Sequence, residues 1–159
     1  MHDVDTHAIT IDSPVGPLAL AARDGHITSI SFGARPARGV VDDVLERAAT
    51  QLEEYFAGQR TEFDLPLELP TEGLLGRVLA QLGEIPFGRA ISYKELTLAL
   101  GLDVSRVREV GAALGRNPIA IVVPCHRVIG SDGSLTGFGG GLERKRRLLD
   151  LESPQLQLA

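Results

Sequence analysis

The sequence is short of residue types on which several classes of protein depend. It has one cysteine, Cys125, and no tryptophan among its 159 residues. A single thiol cannot form an internal disulfide or build a cysteine-rich zinc site. The four histidines are scattered without zinc-ligand spacing, at His2, His7, His26 and His126. We therefore expect neither a metal nor a cofactor.

Long apolar runs are also missing. No run approaches the roughly 18 residues of a membrane-spanning helix, so no membrane association is expected. The N-terminal residues 1–5 are acidic and lack the basic region of a secretory signal. A lone thiol also suits a reducing compartment. These features predict a cytoplasmic protein.

Positive charge is scarce overall but unevenly distributed. The net charge is −5. Residues 1–72 carry 5 Lys/Arg against 13 Asp/Glu, whereas residues 73–159 carry 11 against 8. A basic half beside an acidic half is the polarity that a DNA-contacting domain needs. The basic run 144–147 is by itself interpreted as a solvated helix face.

The single thiol lies in an unusual setting. In the run 121–130 (IVVPCHRVIG), an apolar, strand-like stretch leads to Pro124, Cys125 and His126. Free cysteine is among the most buried residue types, which favours a core role. Histidine, however, can take a proton from a thiol near neutral pH, which favours a nucleophile. The residues alone leave both alternatives open.

The first part of the chain predicts a small α/β domain over residues 1–69. Its β-prone segments are 7–11, 18–21 and 27–32. Asp24-Gly25 is a strong hairpin signal between the last two. Helical spacing of apolar residues predicts a helix over 40–57. Alternation at 63–67 predicts a last short strand, and Pro66 places it at a sheet edge.

The second part predicts a mostly helical domain over residues 74–159, after a linker at 70–73. Predicted helices cover 74–82, 93–100, 105–114 and 142–151. Ser92 is the expected N-cap of the second helix, with Glu95 at the capping-box position. Two short helices around Gly101 form a helix-turn-helix pattern.

The motif Pro124–Val128 (PCHRV) resembles the active site of the DNA repair alkyltransferases that remove alkyl groups from 6-O-alkylguanine. Other segments follow that family's order: 85–88 (IPFG), 92–93 (SY), 108–111 (REVG), 116–118 (RNP), 137–142 (GFGGGL) and, more loosely, 11–18 (IDSPVGPL). The resemblance implies a ribonuclease H-like α/β domain followed by a mostly helical domain with a winged helix-turn-helix-like motif. It implies stoichiometric, irreversible transfer of an alkyl group from 6-O-alkylguanine to the protein, with 4-O-methylthymine as a second candidate substrate.

The resemblance also implies roles for individual residues. Cys125 would be the nucleophile, because a thiolate is the best protein nucleophile near pH 7. His126 would accept its proton through a bridging water, and Glu152 would orient the imidazole. Tyr93 would hydrogen-bond a ring nitrogen of the flipped guanine. Asn117 would tie the recognition helix to the active-site strand.

Further implied roles concern the pocket and the DNA. Backbone groups of Val128 and Gly139 would line the alkylguanine pocket. A base must leave the duplex to be reached, and Arg108 would fill the gap in the stack. Gly111 would allow close approach to the minor groove. Phosphate contacts are implied for Ser92 and Ser131. The implied partner is double-stranded DNA carrying 6-O-alkylguanine, bound by a monomer.

Three departures and two alternative functions accompany the resemblance. The loop 101–105 is one residue longer than usual, Leu79 stands where tryptophan is common, and Phe138 replaces a usual tyrosine. Arg127 follows the family motif, but a role as a structural ion-pair partner is equally compatible with its position. A non-catalytic module that binds alkylated DNA would lack the cysteine, so Cys125 argues against it. An unrelated Cys–His hydrolase would turn over repeatedly without DNA.

Overall fold

The computed structural model describes residues 6–135, 138 and 140–153. The chain divides into two compact units. The first contains the described residues up to Leu69 together with Pro118–Val122, and the second contains Pro70–Asn117 and the residues from Val123 onward. The segment 118–122 belongs in sequence to the domain predicted over 74–159, and its backbone pairs within the first unit.

The first unit is built on an antiparallel sheet of order β1-β2-β3. Its strands are β1 (Thr6–Ile11), β2 (Leu18–Arg23) and β3 (His26–Phe32). Arg23 pairs with His26, so Asp24 and Gly25 alone connect β2 to β3. Both have positive φ, 52° and 75°, which is the backbone of the hairpin turn that Asp-Gly favours. The predicted hairpin is confirmed.

One helix contributes a buried face to the core of this unit. Helix α1 (Asp43–Phe56) begins later than predicted, because the side chain of Asp42 accepts a hydrogen bond from Leu45 N at 3.0 Å and caps it. Val40 and Val41, placed in the helix by the sequence pattern, precede it and are exposed. Its buried residues are Val44, Leu45, Ala48, Gln51, Leu52 and Tyr55.

Two irregular segments extend the sheet beside β3. Leu67 forms an isolated parallel bridge with Ile27, so the predicted strand at 63–67 is reduced to one bridge. Pro66 lacks an N–H and contributes only its carbonyl, which accepts from Ile27 N at 2.8 Å. Further along β3, Ile30 pairs with Ile119. Ile30 N donates to the Pro118 carbonyl and Ala120 N donates to the Ile30 carbonyl, both at 3.0 Å.

The described residues of the second unit form four α-helices and a short parallel strand pair. Its helices are α2 (Gly73–Leu82), α3 (Tyr93–Ala99), α4 (Val107–Leu114) and α5 (Leu142–Glu152). The strands are β4 (Ile91–Ser92) and β5 (Val128–Ile129). The predicted capping box is confirmed: Ser92 Oγ accepts from Glu95 N at 2.9 Å, and Ser92 N donates to the Glu95 carboxylate at 3.0 Å.

The helix-turn-helix consists of α3, a connecting turn and α4. The turn contains a short 3-10 helix, Val104–Arg106, capped by Asp103, whose carboxylate accepts from Ser105 N at 2.8 Å. The helix predicted over 105–114 is therefore two helices, and α4 itself begins at Val107. Leu79 of α2, at the position where tryptophan is common, is 2% exposed and belongs to the core.

Candidate active site

Cys125 begins a short 3-10 helix, Cys125–Arg127, rather than ending a strand. The strand-like prediction for the preceding residues is wrong because the chain turns sharply at Ile121, whose φ is +72°. A β-branched residue rarely adopts this left-handed conformation, which costs about 1–3 kcal/mol. Residues 118–120 pair with β3 before this turn. Pro124 lies between the turn at Ile121 and the thiol of Cys125.

Burial dominates the electrostatics of the half-buried thiol. Removal from water raises the pKa of Cys125 above its ordinary value of 9.0, because the charged thiolate loses solvation. A hydrogen bond from the Asn117 side chain and the positive charge of Lys145 act in the opposite direction but do not outweigh burial. Cys125 is therefore a protonated thiol near neutral pH, and it needs a proton acceptor to react.

A fully buried imidazole and carboxylate follow the thiol. His126 is 0% exposed, and its Nε2 lies 2.7 Å from Glu152 Oε2. Arg127 binds the same carboxylate through Nε to Oε1 at 2.7 Å and through a terminal nitrogen to Oε2 at 3.1 Å. Arg127 also donates to the Ile85 carbonyl at 2.6 Å. This arrangement assigns Arg127 to a structural ion pair.

The carboxylate remains ionised at any pH near neutrality. Burial alone raises the pKa of Glu152, but hydrogen bonds from His126 and Arg127 overcome this effect and bring it from 4.5 to about 2. An ionised carboxylate only accepts hydrogen bonds, so His126 Nε2 must carry a proton and donate it.

The other imidazole nitrogen is left as an acceptor. Burial lowers the pKa of His126 below 6.5, and the hydrogen bond to Glu152 only partly offsets this. The ring is therefore neutral near pH 7, with its single proton on Nε2. Nδ1 is buried and has no hydrogen-bond partner within the described part of the chain. A buried neutral nitrogen of this kind can serve as a general base.

Asn117 connects the end of the helix-turn-helix to the chain before the thiol. It lies just beyond α4 and its C-cap Gly115, and its Nδ2 donates to the Val123 carbonyl at 2.8 Å. Its side chain also interacts with Cys125. Asn117 thereby fixes the backbone two residues before the thiol.

Tyr93 lies beside a buried lysine that the sequence interpretation missed. Lys145 is 0% exposed, so the interpretation of 144–147 as a solvated helix face is wrong for this residue. Its Nζ lies 3.5 Å from the Tyr93 hydroxyl and 5.5 Å from the centre of the Tyr93 ring. Helical spacing could have found it, because Lys145 shares one face of α5 with Leu148, Leu149 and Glu152.

The residues assigned to DNA contact are distributed over the second unit. Arg108 is exposed in the first turn of α4, and Ser131 is exposed just after β5. Nearby, Arg106 is paired with Glu109 at 2.6 Å. A Cβ at Gly111 would lie 4.0 Å from the Tyr93 ring, an ordinary contact, so packing within this unit does not require glycine there.

The structure also places most of the other residues that the sequence analysis singled out. Ser92 is the N-cap of α3, and Val128 is a buried residue of β5 paired with Ile91. Phe138 has its ring centre 5.8 Å from Lys145 Nζ. Gly139 lies outside the described residues.

The described residues contain neither a metal-ligand cluster nor a membrane-spanning helix. Among residues 6–135, 138 and 140–153, no group of three or more His, Cys, Asp or Glu residues is arranged to hold a metal ion. None of the helices in that part of the chain is long and apolar enough to cross a bilayer.

A half-buried thiol followed by the buried His126–Glu152 pair, in a unit that contains a helix-turn-helix, fits a methyltransferase with a DNA-binding domain. Residues 7–69 match the ribonuclease-like domain of 6-O-methylguanine DNA methyltransferase, and residues 75–154 match its DNA-binding domain. The chain belongs to this family. The resemblance and the fold class predicted from the sequence are confirmed.

Individual relatives match nearly the whole chain. The methylated-DNA–protein-cysteine methyltransferase of Mycobacterium bovis is 45% identical over 152 residues, covering 92% of each chain. The protein of the same name from Methanosarcina barkeri is 42% identical over 154 residues, covering 92% of this chain and 97% of the relative.

Solved structures agree with these matches. The crystal structure of Mycobacterium tuberculosis O6-methylguanine methyltransferase has a TM-score of 0.84 at 42% identity, covering 96% of this chain and 98% of the other. A complex of the M. tuberculosis protein with DNA has a TM-score of 0.83 at 45% identity and 92% coverage of both chains.

Proposed function

We propose that this protein repairs DNA by direct reversal, transferring the alkyl group of 6-O-alkylguanine to its own Cys125. The single observation that carries this proposal is the lone thiol followed directly by a buried, neutral imidazole hydrogen-bonded to an ionised Glu152. The names of the relatives, which describe methylated DNA and a protein cysteine, support the same chemistry.

The proposed reaction is an in-line displacement at the alkyl carbon. The Sγ of Cys125 forms a bond to that carbon as the bond from the carbon to guanine oxygen breaks. The thiol proton passes to Nδ1 of His126, through a water in the mechanism that the resemblance implies. The Tyr93 hydroxyl donates to a ring nitrogen of the departing guanine, where negative charge develops. Asn117 holds the backbone that presents the thiol.

A thioether has no hydrolytic return path, so the proposed protein acts once. Each molecule would repair one lesion as a monomer and then remain alkylated. No metal or cofactor takes part in the proposed chemistry. The reducing cytoplasm is the proposed location, because it keeps a single thiol reduced.

The proposed DNA interface is the exposed surface of α4 and its neighbours. Arg108 would occupy the stack after the damaged base has flipped into the pocket. Packing within the second unit does not require glycine at position 111. The missing side chain of Gly111 would instead allow the helix to approach the minor groove. Ser92 and Ser131 would contact phosphates, and Val128 and Gly139 would line the pocket. Such contacts recognise damage rather than sequence.

The alternative function is a module that binds alkylated DNA without repairing it. Intact mass after incubation with duplexes carrying 6-O-methylguanine, 4-O-methylthymine or no lesion separates the two functions. Repair predicts one added methyl group per protein with the guanine lesion and none with the unmodified duplex. The thymine lesion reveals whether the same pocket accepts a second substrate. A protein that binds the guanine lesion but gains no mass would establish the binding module.

A further inference from the structure

The end of helix α4 that is proposed to contact DNA carries acids as well as arginines. Residues 103–109 hold two basic and two acidic residues, so their formal charges cancel: Arg106, Arg108, Asp103 and Glu109. By contrast, residues 73–159 as a whole hold 11 basic and 8 acidic residues. Phosphates repel acids, so an acid on a DNA-binding surface weakens binding. The two acids in this segment therefore need an explanation.

The acid that precedes the helix is explained by local structure. The carboxylate of Asp103 accepts a hydrogen bond from Ser105 N at 2.8 Å and caps the 3-10 helix of the connecting turn. Glu109 has a different partner. Arg106, one turn earlier, donates to its carboxylate from Nε to Oε1 at 2.6 Å and from a terminal nitrogen to Oε2 at 2.9 Å. The capping of the turn thus accounts for Asp103 but not for Glu109.

The contact between Arg106 and Glu109 has the geometry with which arginine binds a phosphate. Two N–H groups on one edge of the guanidinium meet two oxygens, as in bidentate arginine–phosphate pairs. The side chains are 44% and 55% exposed, so the pair lies at the protein surface. Hydrogen bonds from Arg106 lower the pKa of Glu109 below its ordinary 4.5, so the carboxylate is ionised near neutral pH. The pair therefore presents no net charge to a phosphate backbone.

Helical spacing decides which arginine is neutralised. Residues three apart on a helix face each other, whereas adjacent residues do not. Glu109 accordingly pairs with Arg106 and not with its neighbour Arg108, which is exposed. The charge of Arg108, the residue proposed to fill the base stack, is left available.

We propose that Glu109 limits the sequence-independent affinity of this protein for DNA: it binds Arg106 as a phosphate would and cancels its charge at the DNA-contacting surface. The inference rests on the proposed function only for the assignment of α4 to DNA contact. Undamaged sites greatly outnumber lesions, so weak binding to undamaged DNA favours the search for a damaged base.

The effect is measurable as a salt dependence. Each phosphate that a basic side chain neutralises contributes about −0.9 to the slope of log K against log salt concentration. Glu109→Gln keeps the length of the side chain and one oxygen acceptor but removes the charge, so Arg106 is left with an uncompensated positive charge. The slope for an undamaged duplex should therefore become steeper by about 0.9, which corresponds to roughly fivefold tighter binding near about 0.15 M salt.

The test measures binding of an undamaged duplex by fluorescence anisotropy across a salt series. The variants are Glu109→Gln, Arg106→Gln, the double variant and the control Glu143→Gln. Glu143 is an exposed acid in the first turn of α5. Its replacement removes the same charge, and the same favourable interaction with a helix dipole, as the replacement of Glu109. Melting temperatures show whether each protein is folded under the conditions of the binding measurement.

Glu109→Gln should steepen the slope and tighten binding, whereas Glu143→Gln should leave both at the values of the unaltered protein. Arg106→Gln leaves the carboxylate of Glu109 unpaired, so it should weaken binding and make the slope shallower. The double variant has no charge at either position and should return close to the unaltered protein. A residue that only stabilises a helix would not move the salt slope.

A slope for Glu109→Gln no steeper than that of Glu143→Gln would overturn the inference. A double variant as strongly shifted as Glu109→Gln would also overturn it, because the released charge would then not be that of Arg106. Each protein is also incubated with a 6-O-methylguanine duplex and weighed by intact mass. If the slopes shift as expected but no protein takes a methyl group, the role of Glu109 stands and the proposed function fails. Methyl transfer by proteins whose slopes do not differ would leave the proposed function standing without the inference.

Discussion

Replacing Glu152 by glutamine should separate the catalytic and structural demands on the buried network. The carboxylate accepts from His126 at 2.7 Å and from Arg127 at 2.7 and 3.1 Å. Glu152→Gln keeps the shape but leaves the buried Arg127 guanidinium without its counter-charge. Breaking a buried pair in this way costs about 3–5 kcal/mol. For a chain of this length, that loss corresponds to a fall in melting temperature of roughly 10 °C.

The catalytic loss has a different cause. An amide can donate a hydrogen bond to His126 Nε2, which moves the imidazole proton to Nδ1 and removes the base. Fixing the wrong tautomer of a triad histidine lowers rates by roughly 10³- to 10⁴-fold. Single-turnover transfer from a 6-O-methylguanine duplex, followed by rapid quench and intact mass, measures this loss directly.

Two controls make this prediction specific. Glu143→Gln makes the same change at an exposed position of α5 and should alter neither rate nor stability. Arg127→Gln breaks the ion pair but leaves the His126–Glu152 hydrogen bond, so it should destabilise the fold more than it slows transfer. A Glu152→Gln protein with near-normal transfer would refute the tautomer argument, and an unchanged melting temperature would refute the ion-pair argument.

The other predictions concern acid stability, the helix α4 that is proposed to contact DNA, and metal independence. In the folded protein the pKa of Glu152 is about 2, against an ordinary 4.5, and the pKa of His126 is also lowered. The contribution of these two groups to the free energy of unfolding is therefore present above about pH 6.5 and is lost as the pH drops toward 2. A stability that stays constant over that pH range would contradict this. Arg108→Ala should slow repair of duplex DNA far more than repair of a single-stranded lesion, whereas Arg106→Ala, whose side chain is paired with Glu109, should affect both equally. Gly111→Ala should leave the fold as stable or up to about 1 kcal/mol more stable while weakening duplex binding, and unaltered binding would exclude close groove contact. Transfer should survive exhaustive chelation, and a loss that zinc restores would disprove metal independence.

Local signals in the sequence were sufficient for several elements. Asp24-Gly25 predicts its own turn because both residues tolerate positive φ. Ser92 and Glu95 predict the start of α3 because the capping box is made within four residues. The motif around Cys125 identifies the thiol, its imidazole and, through the family resemblance, Glu152.

Features that depend on distant pairing were missed. The segment 118–122 is apolar, and only its pairing with Ile30 shows that it joins the first unit. Similarly, the extent of the strand predicted at 63–67 depends on its partner: Leu67 forms a single bridge with Ile27. Pro66 limits further pairing because it has no N–H to donate. The buried Lys145 was hidden in a basic run whose other members reach solvent to different degrees. Composition described the run, whereas helical periodicity would have singled out this one position.

The most direct measurement of the central claim follows a labelled methyl group from DNA to protein. A duplex carrying 6-O-methylguanine with a deuterated methyl group is incubated with the protein, once with protein in excess and once with duplex in excess, and both products are analysed by mass spectrometry. The proposed chemistry predicts one labelled methyl on Cys125, unmodified guanine in the DNA and no turnover beyond one equivalent. Label on another residue, label released to solvent, or DNA that keeps its methyl group would contradict it.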